Sequence, residues 1–175
     1  MNRVNLILNH KLFQEYLSKI KQYEKDRLFC KHDISHLLDV CRIAENLWLQ
    51  YQIKELKNET YIKDDVCQKE ITKELIYATG LLHDIGRWKE YENGIRHEIV
   101  SADLAPKILS DCGFVEDEIE SIVLAILNHR NKEMKDRDDL SGWIYLADKS
   151  SRSCFACEAE ELCDWSKEKK NLKLL

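Results

Sequence analysis

Six histidines and a few well-placed aspartates carry the chemistry this sequence could perform. His83 is followed directly by Asp84 at the end of an apolar run, LIYATGLLHDIG. His36 lies in a second apolar stripe, His97 opens a third and His129 closes a fourth. Asp148 ends the run Trp143-Ile144-Tyr145-Leu146-Ala147. A charged aspartate behind such a run is costly unless it is paired or coordinates an ion. Inward-pointing histidine and aspartate from several helices are one way to build a metal site in a bundle. Imidazole with carboxylate suits zinc, iron, manganese or nickel. Taken singly, each histidine also reads as a hydrogen-bonded core residue. His10 has no partner signature and reads as surface.

Positioning these residues requires helices. Apolar residues recur at helical spacing over 10–26, 34–53, 70–85, 97–112 and 116–129, and an apolar pattern resumes over 142–148. Gly86 reads as a C-cap, 87–96 with Asn93-Gly94 as a loop, Pro106 as a break or kink and Gly113 as a stop. The charged stretch 54–69 reads as a loop or frayed helix end, and 131–139 as a polar loop. Residues from Lys167 onward read as loose. Glycine is scarce at 5 and proline at 1, which argues against a sandwich or barrel with its many turns. The expected fold is all-α: a bundle of about six or seven helices forming a single domain, 1–175, with a core over about 30–150 and a tail over 151–175.

The ordered set His36, His83-Asp84 and Asp148, with the strings LLHDIG and YLADK, resembles the HD-domain metal-dependent phosphohydrolases over about residues 30–150. The resemblance implies a helical core and a divalent ion (Fe, Mn, Ni, Zn or Mg) held by His36, His83, Asp84 and Asp148. A dinuclear subset of that family carries two further histidines between the HD pair and the last aspartate. His97 (IRHEIVSADLAPKIL) and His129 (ILNHR) fall in that interval. By resemblance Asp84 would then bridge two ions. That subset includes symmetrical dinucleoside-tetraphosphate hydrolases and cyclic-dinucleotide phosphodiesterases; the glycine-rich GYP signature of the latter is absent here.

In such chemistry His83 and Asp84 hold the ion that activates water, and cations hold phosphate oxygens. Arg130 and Lys149 are the catalytic candidates for that second task. Arg87 and Arg152 are weaker ones, since lysine and arginine are usually solvated surface. His32 stands four residues before His36 in HDISH, a spacing that puts both on one helix face, with Asp33 as a cap. It reads as a substrate contact or as support for a ligand.

The seven cysteines raise a separate question. Cys154, Cys157 and Cys163 form C-x2-C-x5-C in SRSCFACEAEELCDW. Zinc, an iron–sulfur cluster or a redox pair are the chemical readings. The bland one is two small hydrophobes buried on a helical turn. Three thiolates leave a tetrahedral site one short, which Cys30, Cys67, Cys112 or an external ligand could complete. Cys41 lies on a helix stripe and reads as core.

With 27 basic and 32 acidic residues, net charge −5, the chain is a poor match for a duplex nucleic acid, whereas a small phosphorylated substrate such as a nucleotide remains open. No apolar run reaches membrane-spanning length and the N-terminus lacks signal-peptide features, so a cytoplasmic protein with reduced cysteines is expected. The leading function is hydrolysis of a phosphate ester or anhydride by metal-activated water. The alternatives are a di-iron, oxygen-dependent oxidoreductase on the same scaffold, and a non-catalytic metal- or nucleotide-binding sensor.

Overall fold

The computed structural model describes residues 1–57 and 71–173. Among them are eight α-helices and no strand. Six follow the anticipated segments: α2 (Lys11–Tyr23), α3 (Ile34–Lys57), α4 (Lys73–Leu82), α6 (His97–Asp111), α7 (Glu116–Asn128) and α8 (Leu140–Ser150). The other two are α1 (Asn2–Asn9) and α5 (Arg87–Asn93). The bundle is all-α, as composition and periodicity require. No helix of the described residues is long and apolar enough to cross a membrane.

Helix α4 is the axis of the bundle. Leu75, Ile76, Ala78, Thr79, Gly80, Leu81 and Leu82 are all buried, and a helix apolar on every side belongs in the middle. Thr72 starts it, its side chain accepting from Leu75 N at 3.3 Å. One face joins Val4, Ile7, Phe13, Leu37 and Ile108 in the larger core cluster. The other, through Ile76, meets Val40, Ala44, Trp143 and Ile144. Helices α3, α7 and α8 pack around it. The closest approach is at Gly80: a Cβ there would lie 2.6 Å from Cys41 Sγ and 3.2 Å from Cys41 Cα on α3. The end of α4 therefore delivers His83 and Asp84 to the centre of the molecule.

Several local expectations change. The segment 87–96 is not a loop: α5 occupies most of it, because Trp88 is buried against α2, its ring stacked on Tyr16 at 5.9 Å with the Lys19 ammonium 4.2 Å away. Asn93-Gly94 is the stop of α5, with Gly94 in the left-handed region at φ 76°. Gly86 is not a C-cap but the N-cap of α5, pressed so closely on α6 that a Cβ would meet Ser101 N at 2.5 Å. Pro106 lies inside α6 without ending it. The polar stretch after His129 holds a 3-10 turn, Lys132–Asp136. His10 is not idle surface: it caps α2 and its Nε2 lies 3.2 Å from Asp111. Of the stretch 54–69, Lys54–Lys57 continues α3; the rest, with Cys67, lies outside the described residues.

The C-terminal segment is not loose as far as it is described. It makes three short 3-10 turns, Cys154–Ala156, Glu160–Leu162 and Lys167–Lys169. Asn171 fastens it, Nδ2 donating to Lys149 O at 2.8 Å and Arg152 O at 3.0 Å.

The α3–α4 contact at Gly80 should tolerate no branched side chain. Gly80→Val is expected to destabilise the fold by about 1–3 kcal/mol through overpacking. Urea unfolding measures it, and an unchanged midpoint would show that α3 and α4 are not held at this distance.

Candidate metal centre

Five elements converge on Asp84. His36 comes from the first turn of α3, which Asp33 starts: its Oδ1 accepts from Ser35 N at 2.9 Å and His36 N at 3.2 Å. His83 and Asp84 follow α4, His97 is the first residue of α6, His129 caps α7 at its C-terminus and Asp148 lies in the last turn of α8. His83, Asp84, His97 and His129 are at most 1% exposed.

Each oxygen of Asp84 faces its own set of nitrogens. Oδ2 lies 3.5 Å from His36 Nε2 and 3.5 Å from His83 Nε2. Oδ1 lies 3.0 Å from His97 Nε2 and 3.6 Å from His129 Nε2. Asp148 Oδ1 adds to the first set, 3.8 Å from His36 Nε2 and 4.0 Å from His83 Nε2. Two groups of ligand atoms result, each within 4.8 Å of one another: His36, His83, Asp84 and Asp84, His97, His129.

The ring protons point away from this centre. His83 Nδ1 donates to Gly80 O at 2.7 Å and His129 Nδ1 to Ile126 O at 2.7 Å. Ser151 Oγ donates its one hydrogen to Asp148 O at 2.8 Å, so it accepts from His36 Nδ1 at 3.3 Å. His97 Nδ1 is bonded to the Glu90 carboxylate. In the neutral ring this leaves every Nε2 as a lone pair aimed inward. His36 Nε2 and His83 Nε2 are buried with no hydrogen-bond partner. His97 Nε2 and His129 Nε2 face each other at 3.2 Å. Arg87 Nη2 donates to His97 Nε2 at 3.2 Å, whereas the unpartnered lone pairs of His36 and His83 converge beside a carboxylate and repel unless a cation lies among them, so this donor set fits divalent metal binding. Carboxylate and carbonyl partners behind ligating imidazoles are the usual support of such sites.

The electrostatics agree. Burial pushes the Asp84 carboxyl upward, but Arg87 and the neighbouring imidazoles outweigh it and hold it well below the usual carboxylate range. Asp148 is likewise held low against burial, by Lys149 and His83. Burial drives His83 down to about 3 and lowers His129. His36 is also disfavoured by burial, yet Asp84 and Asp148 raise it.

The cations anticipated near the site take different places. Arg87 is the nearest, its Nε 3.4 Å from Asp84 Oδ2, and not the solvated residue its type suggested. Lys149 is paired with Asp148 and reaches His129 O at 3.4 Å. Arg130 sits at the rim, 3.4 Å from Glu98 and 3.6 Å from Glu90. Arg152 lies over the Trp165 ring at 4.4 Å. All four line one cavity of about 570 Å³ with His32, His36 and Asp148, within the usual size range of small-molecule sites.

His32 lies before α3 rather than on its face. Glu24 holds it instead, accepting from His32 Nδ1 at 2.5 Å and His32 N at 2.7 Å. Its Nε2 is 3.9 Å from Asp84 Oδ2. Glu24, 3% exposed, also accepts from Tyr91 OH at 2.6 Å; despite burial, these bonds hold its pKa at about 2. Sequence reasoning missed Glu24, Glu90 and Ser151. Glu24 alone left a signal, an acid four residues after the buried Ile20.

With the cluster free of metal, the His83 shift has a sign. The unfolded ring takes its proton near pH 6.5 and the folded one near 3, so the unfolded state binds more protons between them. Stability is therefore present above about pH 6.5 and lost as pH falls toward 3, with His129 adding the same sign and His36 the opposite one. Urea midpoints of the metal-stripped protein should drop across that window, and His83→Asn should flatten the drop. An equal slope in both would refute the assignment.

The family model for the HD domain matches residues 33–153. A protein of Clostridium beijerinckii named "Uncharacterized protein" is 41% identical over 174 residues, covering 99% of each chain. No solved structure matches the chain. The match spans α3 to α8, the helices that carry His36, His83, Asp84, His97, His129 and Asp148. The chain belongs to the HD-domain family.

Proposed function

We propose that the protein hydrolyses a phosphate ester or anhydride in a small nucleotide-like substrate, using two divalent ions held on either side of Asp84. One observation carries the reading: each oxygen of a single buried carboxylate faces its own pair of inward lone pairs. His36, His83, Asp84 and Asp148 would hold one ion, and Asp84, His97 and His129 the other. Bound there, divalent metal lowers the pKa of coordinated water and stabilises charge on the phosphoryl oxygens.

The remaining tasks fall to this chain's own side chains. Arg87, locked between Asp84 and Glu90, keeps the shared carboxylate ionised. Lys149 and Arg130, facing the cavity, bind non-bridging phosphate oxygens by charge-assisted hydrogen bonds. Arg152, held over the Trp165 ring and lining the same cavity, would take a further phosphate. His32 is turned toward the cavity by Glu24 and can pass a proton to or from the substrate at Nε2. A cavity lined by Arg87, Arg130, Lys149 and Arg152 suits an anionic substrate.

Two substitutions test the reading. After loading with Mn, Fe, Ni, Zn or Mg and a screen of nucleotides for phosphate release, Asp84→Ala should lose both the ions and the turnover. Turnover surviving in that variant sinks the proposal; oxygen uptake by the iron-loaded protein without phosphate release would favour oxidative chemistry. Glu90→Gln removes the negative charge behind His97 and should weaken metal binding about 10–100-fold. Calorimetric titration measures it, and unaltered affinity would contradict the assigned role of Glu90.

A further inference from the structure

The segment 151–173 has no core of its own. None of its residues is buried. Phe155, Leu162, Trp165 and Leu172 are 47%, 72%, 38% and 41% exposed. It nevertheless follows a defined path of three short turns, tied by Phe155 N to Asn171 O at 2.9 Å and Lys170 Nζ to Glu160 Oε1 at 2.8 Å. Ordering so many residues costs conformational entropy that buried apolar area normally offsets. Where that area is lacking, small irregular segments rely on disulfides or metal.

Four cysteines line one cavity where the offset is needed. Cys154, Cys157 and Cys163 sit on the turns, and Cys30 comes from the loop between α2 and α3; all four line the same cavity. The Cys30 thiol is pushed up by burial and then by Cys154 and Cys157, and Lys170 feels Cys163 and Cys154. None is in a disulfide. The other described cysteines are elsewhere: Cys41 and Cys112 are buried in the larger apolar cluster. Cys154 and Cys157 are only half-buried, and not on an α-helical turn, so packing does not explain them. The sulfurs are spread more widely than the compact histidine–aspartate sets.

We propose that Cys30, Cys154, Cys157 and Cys163 together bind a thiophilic metal centre, a zinc ion or an iron–sulfur cluster, that fastens the C-terminal segment to the Cys30 loop as one wall of the cavity. Four thiolates complete the ligand set of a closed structural site or a cubane cluster. Each thiol releases its proton to solvent as its sulfur–metal bond forms, and the turns close inward on the ion. Cys30 stands two residues before His32, so the centre anchors the loop that carries His32 beside the proposed active site.

The test compares protein prepared anaerobically from medium containing both metals. Elemental and sulfide analysis is run on the wild type, on Cys30→Ser, Cys157→Ser and Cys112→Ser, and on Asp84→Ala. One zinc per chain, or iron with matching acid-labile sulfide and visible colour, should be lost in Cys30→Ser and Cys157→Ser. It should be kept in Cys112→Ser and Asp84→Ala, which separates this centre from the histidine–aspartate one. Cobalt added to metal-stripped Asp84→Ala should give the intense sulfur-to-cobalt bands of a tetrathiolate, a readout that does not depend on a cysteine variant folding. Metal content unchanged by both serine substitutions, no thiolate bands with cobalt, or a disulfide among these four under reductant would each overturn the proposal.

Discussion

A carboxylate buried at 1% exposure governs this molecule. Asp84 remains charged there because the Arg87 guanidinium lies against it, while four imidazoles crowd around it. Its two oxygens divide those imidazoles into two sets. The arrangement demands that every ring be held in one tautomer, and every Nδ1 finds an acceptor outside the cluster: Gly80 O, Ile126 O, Ser151 Oγ or the Glu90 carboxylate. Two of these acceptors are carbonyls of the same helices that carry the histidines. Helix geometry thus orients His83 and His129 without any other residue.

The packing serves the same end. The donors come from α3, α4, α6, α7 and α8, so the separation between helices sets the separation between ligand atoms. Helix α4 is enclosed on all sides and cannot shift alone. Its approach to α3 at Gly80, against Cys41, and that of Gly86 to the backbone of α6 are contacts that a single methyl group would disturb. His36 is fixed relative to His83 by the first approach, and His97 relative to Asp84 by the second. Close-packed interiors transmit such displacements rather than absorb them.

The helices and the inner ring of the site were legible in the sequence because both obey short rules. Apolar spacing reports a buried face, and an HD pair behind an apolar run reports a buried charge that needs a partner. What the sequence hid depends on residues that meet only in three dimensions. Glu90 follows no pattern, yet it closes on His97 once α5 turns back over α6. The seven residues of that helix are too few to show a period and Asn93-Gly94 resembles a turn, so the local pattern is that of a loop. The spacing of His32 and His36 matches one helix face, but the chain enters α3 only at Ile34, and Glu24 decides where the His32 ring points. Arg87 shows the limit of residue-type reasoning: a cation usually solvated is here the nearest counter-charge of the buried aspartate. Of the three internal thiols that could complete the cysteine tail, Cys30 lines its cavity, Cys112 lies in the core and Cys67 is outside the described residues.

The central claim is that one carboxylate is shared by two ions. Anomalous diffraction from crystals of manganese-loaded protein tests it directly. Two peaks about 3.5–4 Å apart, one beside each oxygen of Asp84, are the expected result. A single peak, or peaks away from Asp84, would contradict it.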